Sequence, residues 1–65
     1  MLLFWDKLKV VSHMQEQIER HLQEPVTLAM LTKGTGYSMY HAARLFKELT
    51  GASPVEYLRK RRLSA

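Results

Sequence analysis

Tyr40, Ala43, Arg44 and Lys47 fall at i, i+3, i+4 and i+7, the spacing of one face of a helix. Ala42, Leu45, Phe46 and Leu49 repeat that spacing on the other side and form an apolar stripe. The first face offers a large amphipathic aromatic, a small side chain and two cations. A helix that buries the stripe and turns this face outward has the chemistry to enter a DNA major groove. There a guanidinium can bond both O6 and N7 of guanine, and an ammonium can sit on phosphate. The same face also suits an ordinary solvated helix surface, so the rest of the chain has to separate the two readings.

Other chemistry is thinly supported. Three histidines and six carboxylates are present, but no pair of them has a spacing that builds a catalytic site. His13 and His21 stand two helical turns apart, too far to share a metal, and are expected to be exposed helix residues. Ser12, Ser38, Ser53 and Ser64 are read as caps or surface residues. Gly34-Thr35-Gly36 lacks the further glycines and the preceding strand of a nucleotide-binding loop. There is no cysteine, hence neither a disulfide nor a thiolate metal site. No enzyme activity, metal or cofactor is expected.

A chain of 65 residues holds one small domain. Such a domain buries only about 60% of its unfolded surface, so its core is marginal. No apolar run approaches the roughly 20 residues that span a membrane. Met1-Leu2-Leu3-Phe4-Trp5 is apolar but short, and Asp6 and Lys7 follow at once; Trp5 is expected to pack. Charge is divided unevenly. Residues 1–32 carry Lys7, Lys9 and Arg20 against Asp6, Glu16, Glu19 and Glu24, a net of −1. Residues 33–65 carry Lys33, Arg44, Lys47, Arg59, Lys60, Arg61 and Arg62 against Glu48 and Glu56, a net of +5. The basic half suits a polyanion, and by charge alone an anionic lipid or an acidic protein fits equally well.

The elements that would position these residues read as four helices, near 6–22, 27–33, 38–50 and 53–64. Val11, Met14, Ile18 and Leu22 form the stripe of the first, which Gln23-Glu24-Pro25 is expected to end. Thr27 is the N-cap of the second, with Val26 and Leu31 set to staple it. Gly34-Thr35-Gly36 is a turn in which Gly36 is expected to take a positive φ. Ser38 caps the third helix, and Thr50-Gly51 ends it. Ser53-Pro54-Val55-Glu56 combines an N-cap, a first-position proline and a capping box. The fourth helix then runs into Arg59-Lys60-Arg61-Arg62. The fold expected is all-α, a small four-helix bundle containing a homeodomain-like helix-turn-helix.

Further residues extend the pattern: Ile18-Glu19-x-x-Leu22, Glu24-Pro25-Val26-Thr27-Leu28, Gly36-Tyr37-Ser38 and Arg44-Leu45-Phe46-Lys47-Glu48. Thr50-Gly51-x-Ser53-Pro54-x-Glu56-Tyr57-Leu58-Arg59 and Arg62-Leu63 follow. Together they resemble the first helix-turn-helix of the AraC/XylS class of bacterial transcription regulators, over about two-thirds of the chain without a gap. The combination of Gly36-x-Ser38, Arg44-x-Phe46-Lys47, Thr50-Gly51 and Glu56-Tyr57 is specific, although each piece alone is weak.

The resemblance implies a cytoplasmic regulator, at the bacterial nucleoid, that binds double-stranded DNA and reads bases with its third helix. Tyr40, Ala43 and Arg44 match the family's base-facing positions. Ser38, His41 and Lys47 match places near the DNA backbone, with solvent exposure the competing reading for His41. Arg59 and Lys60 extend the phosphate candidates; for the whole basic run, favourable cations at a helix C-terminus are the competing reading. RNA polymerase or a second copy of the chain are further partners the resemblance allows, with no membrane and no metal.

The chain departs from the family in four places. Thr32 stands where a smaller Ala or Ser is usual. Ala42 replaces a large aliphatic residue, a core loss of about 2–5 kcal/mol unless Met30 or Met39 repacks. Gly34 replaces a better helix former, at roughly 1 kcal/mol if the helix reaches it. The family's unit has two helix-turn-helix subdomains on a joining helix; this sequence stops at Ala65 within that helix, without the second subdomain or an effector-sensing domain. One alternative is therefore a protein-interaction or dimerisation module with weak or non-specific DNA binding, using exposed Phe4, Trp5, Met30 and Met39. A third is a cationic membrane-surface peptide.

Overall fold

The computed structural model describes residues 6–64. The expected roles of Phe4 and Trp5 lie outside them. Four helices follow in order: α1 (Lys7–Arg20), α2 (Leu28–Thr32), α3 (Met39–Thr50) and α4 (Pro54–Ser64). The fold is all-α, and α2 and α3 form a helix-turn-helix packed on α1. α1 touches each of the other three helices.

Each helix start is fixed by a short-range hydrogen bond to an otherwise free backbone N–H. The Asp6 carboxylate accepts from Lys9 N at 2.9 Å, and the Thr27 hydroxyl accepts from Met30 N at 3.2 Å. Ser38 Oγ accepts from His41 N at 3.1 Å. At α4 the bonding is reciprocal. Glu56 N donates to Ser53 Oγ at 3.2 Å, and Ser53 N donates to Glu56 Oε1 at 3.0 Å. Pro54 sits at the first helical position, where its missing N–H is no loss.

α1 ends two residues before the expected Leu22. The His21 N–H is shared between the Gln17 and Ile18 carbonyls, both at 3.2 Å, which tightens the last turn. Glu24 N then donates to the His21 carbonyl at 3.0 Å, and His21 Nδ1 meets Glu24 Oε1 at 2.7 Å. The turn is therefore closed before Pro25 can act on its neighbour. Leu22 is half-buried against the core from outside the helix.

The core consists of Val10, Val11, Met14 and Ile18 from α1, Leu31 from α2, and Ala42, Leu45 and Phe46 from α3. Val10 is fully buried, although the α1 stripe read from sequence omitted it. Val26, Leu28, Tyr37, Tyr57 and Leu58 close its edges, and Val26 lies beside Leu31 as a staple requires. The Phe46 and Tyr57 rings meet edge to face, with centroids 5.3 Å apart. Leu49 departs from the expected stripe and is 46% exposed. Ala52, from the turn beyond, and Pro54, the first residue of α4, are buried instead.

Three departures from the family pattern take physical form here. Ala42 is fully buried, while Met30 and Met39 are 43% and 50% exposed and stand outside the core cluster; among the described residues the buried methionine is Met14. Thr32 is buried, with its hydroxyl donating to the Ala29 carbonyl at 3.4 Å. Gly34 lies beyond the end of α2, so no helix penalty arises. It takes φ +83°, as does Gly36, the position where a positive φ is expected from sequence.

Arg61 and Arg62 hold α4 to α1 and to the turn that follows it. The Arg61 guanidinium bonds both carboxylate oxygens of Glu19, Nε to Oε2 at 2.5 Å and an Nη to Oε1 at 2.9 Å. Arg62 donates to the carbonyls of Leu22 at 2.9 Å and Glu24 at 2.7 Å.

Two outcomes follow. Phe46→Ala should lose about 3–5 kcal/mol. A core of this size rarely supplies more than about 3–5 kcal/mol in total. The variant should therefore be largely unfolded by circular dichroism at 25 °C, and a cooperative urea transition near that of wild type would contradict the packing role. The second outcome concerns acid. Bonding to Arg61 holds the Glu19 carboxyl below its ordinary value of 4.5, and the Ser53 bonds do the same for Glu56. Folded values below unfolded ones mean a contribution present above about pH 4.5 and lost as pH falls through the folded values. Urea midpoints should thus drop more between pH 6 and pH 3 in wild type than in Glu19→Gln/Glu56→Gln; parallel curves would remove these two groups from the acid response.

Candidate nucleic-acid interface

The turn that sets α3 on the core is organised by Thr35, which is 1% exposed. Its hydroxyl donates to the Thr32 carbonyl at 2.7 Å and accepts from Tyr37 N at 3.2 Å. Both hydrogen-bonding capacities of this buried hydroxyl are thereby met. Thr35 N also donates to the Thr32 carbonyl at 3.1 Å. Sequence reading placed Thr35 in the turn but missed its burial. A threonine between two glycines was the one available signal.

Ser38 then opens α3 and meets His41 twice. It caps the backbone, and its Oγ lies 2.8 Å from His41 Nδ1. Both residues are exposed and, with Gly36 and Tyr37, line a shallow concavity at the start of the helix. Tyr40 is 70% exposed, and its ring meets His41 in a T-shaped contact with centroids 5.8 Å apart. Ala43 is half-buried between the two faces. One turn beyond Tyr40, the Arg44 side chain is 67% exposed, and its Nε stands 3.6 Å from Glu48 Oε2. At that separation the contact is an ion pair rather than a hydrogen bond. Its i,i+4 spacing was readable, although the sequence reading did not draw the pair.

Lys47 is exposed near the end of α3, and Arg59 and Lys60 are exposed on α4. The Ser53 hydrogen bonds are the main cause of Glu56's lowered pKa, and Lys47 and Lys60 add to it through their charge. Both lysines therefore lie near that carboxylate, at the α3–α4 junction. Arg59 is placed differently. It borders a shallow groove with Val55, Leu58, Arg62 and Leu63. The run Arg59-Lys60-Arg61-Arg62 is thus split. Arg61 and Arg62 bond α1 and its following turn, whereas Arg59 and Lys60 point away from the core.

Tyr40, His41 and Arg44 are brought together along one helix, with Ser38 joined to them through His41. Among the described residues no group of three or more histidines or carboxylates could hold a metal ion. No helix there is long and apolar enough to cross a membrane. What the surface offers is a row of hydrogen-bond donors, an exposed aromatic ring and several cations.

Comparison with known proteins gives a consistent set of relatives. The chain is 36% identical over 59 residues, 91% of its length, to the right origin-binding protein of Escherichia coli K12, of which it spans 20%. It is 31% identical over 55 residues, 85% of its length, to the regulatory protein SoxS of Salmonella typhimurium, spanning 51% of that protein. It is 38% identical over 47 residues, 72% of its length, to the multiple antibiotic resistance protein MarA of the same organism, spanning 37%. The chain thus covers between about a fifth and about half of these relatives. No family model matches it, and no solved structure matches it. The relatives are transcription regulators and not enzymes, in line with the absence of a catalytic constellation in the sequence. Through these relatives, matched over its helix-turn-helix region, the chain belongs to the AraC/XylS family of bacterial transcription regulators.

Proposed function

We propose that the chain is a sequence-specific DNA-binding module of a transcription regulator, with α3 inserted in the major groove. The observation that carries this reading is the two-sidedness of α3. Ala42, Leu45 and Phe46 are sealed in the core, and Tyr40 and the Arg44 side chain are 70% and 67% exposed on the outward side. On this reading Arg44 bonds guanine O6 and N7, Tyr40 contacts a thymine methyl or stacks, and Ala43 gives apolar contact. Ser38, His41, Lys47, Arg59 and Lys60 meet phosphates, which position the helix and read no sequence. The relatives' names support DNA as the partner, and on this reading the module works in the bacterial cytoplasm, at the nucleoid. RNA polymerase or a second copy of the chain would be engaged through other surfaces.

A second reading, a protein-interaction or dimerisation module with weak or non-specific DNA binding, draws on the apolar exposure of α4. Val55 is 62% and Leu63 82% exposed, and both line the groove with Leu58. Sedimentation showing only monomer, with no protein partner recovered, would count against it.

The primary test is fluorescence anisotropy on a randomised duplex pool and on the duplex enriched from it, at low and moderate salt. Wild type should enrich a defined sequence. Arg44→Ala should lose roughly 1–3 kcal/mol on that sequence and relax its preference. Lys47→Ala should weaken binding to all sequences alike and reduce the salt slope by about one. Equal binding of wild type and Arg44→Ala across the pool would overturn base reading by α3.

A further inference from the structure

Between Met39 and Thr50 the charged side chains of α3 are Arg44, Lys47 and Glu48, so Glu48 is the only acid of the helix. It continues the line of Tyr40 and Arg44 at the next i+4 step, and its carboxylate is the ion-pair partner of Arg44. Helix stability does not explain it. An acid in the last turn opposes the helix dipole, and arginine before glutamate is the less favourable order for an i,i+4 pair. Core packing does not explain it either, because the side chain is 60% exposed. What remains is its position on the outward face, beside the guanidinium given the base-reading role.

We propose that Glu48 is a specificity-determining residue that acts through Arg44, an inference that rests on the proposed function of α3. Phosphates are the same at every site, so an arginine free to reach them binds all DNA alike. Glu48 offsets that gain. Its carboxylate supplies Arg44 with a partner in the unbound chain, and its charge is repelled by the backbone. Only a site whose guanine takes the guanidinium on two acceptors at once gives enough to replace the carboxylate. Glu48 therefore lowers affinity for every sequence, and lowers it most where Arg44 finds no guanine.

The test compares wild type, Glu48→Gln, Arg44→Ala and the double variant by anisotropy on the enriched duplex and on an unrelated one. Glu48→Gln should bind the unrelated duplex about 2- to 5-fold tighter, the range set by an exposed ion pair. It should gain less on the enriched duplex, so that the ratio of the two affinities falls. In the Arg44→Ala background the same change should leave the ratio unaltered. Thermal unfolding of Glu48→Gln should match wild type or lie slightly above it. If wild type discriminates and Glu48→Gln discriminates equally well, the inference is wrong while the reading of α3 stands. If the ratio falls by the same factor without Arg44, Glu48 meets DNA directly, and its action through Arg44 is overturned. If wild type prefers no sequence, the proposed function fails and the inference fails with it.

Discussion

Phe46 is fully buried along with Val10, Met14 and Ile18, and its ring rests edge-on against Tyr57 of α4. One side chain of α3 thus engages both α1 and α4. Successive residues of an α-helix are separated by about 100° of rotation. Sealing Ala42, Leu45 and Phe46 therefore fixes the rotation of α3 about its own axis. Once that rotation is fixed, Tyr40 and Arg44 have no choice but to face solvent. The outward chemistry follows from the inward packing, and a one-residue shift in that packing would turn Ala43 and Lys47 toward the core.

Charge is organised by the same packing. α4 presents four successive cations, and the fold uses two of them. Arg61 makes a two-pronged contact with Glu19, and Arg62 donates to two carbonyls of the turn after α1. Exposed ion pairs stabilise little, but bidentate geometry gives direction as well as energy. Together the contacts tie the end of α4 to α1 and to the turn leading into α2. Arg61 and Arg62 still contribute to the positive field of the chain. Two nitrogens of each guanidinium, however, are engaged internally, which makes Arg59 and Lys60 the less committed donors of that run.

Local signals were the legible ones. Thr27, Ser38, the Ser53–Glu56 box and Gly51 all act within three or four residues of the groups they satisfy, so sequence alone locates them. The two faces of α3 were legible for the same reason, since their period is local. Features set by the edge of the core were not. Leu49 continues the helical period past the point where Ala52 takes over burial. The end of α1 was masked because Pro25 is a louder signal than the shared N–H of His21. The Glu19–Arg61 pair joins residues 42 positions apart, and no spacing rule reaches that far. For the same reason the division of the basic run was invisible, because it depends on how α4 lies against α1. The conditional helix cost at Gly34 does not arise, because α2 ends at Thr32, before that glycine.

Stability and surface chemistry meet at Ser38. A serine hydroxyl has one hydrogen to give and two lone pairs to receive. One lone pair already accepts from His41 N and caps α3. The single hydrogen then has two possible destinations, His41 Nδ1 or a phosphate oxygen, and it cannot serve both. While it is given to Nδ1, the ring's other hydrogen sits on Nε2, which becomes the donor left for an outside acceptor. When Nδ1 carries a hydrogen, it donates to the second lone pair of Oγ, and the serine hydrogen is released outward. In either arrangement the cap survives and one donor faces solvent. The pair can thus contribute a phosphate contact without loosening the first turn of α3, the turn on which the position of Tyr40 depends. A cap such as Ser38 is worth about 0.5–2 kcal/mol in a domain that holds only a few in total. A contact that required the cap to open would weaken the very helix it was meant to anchor.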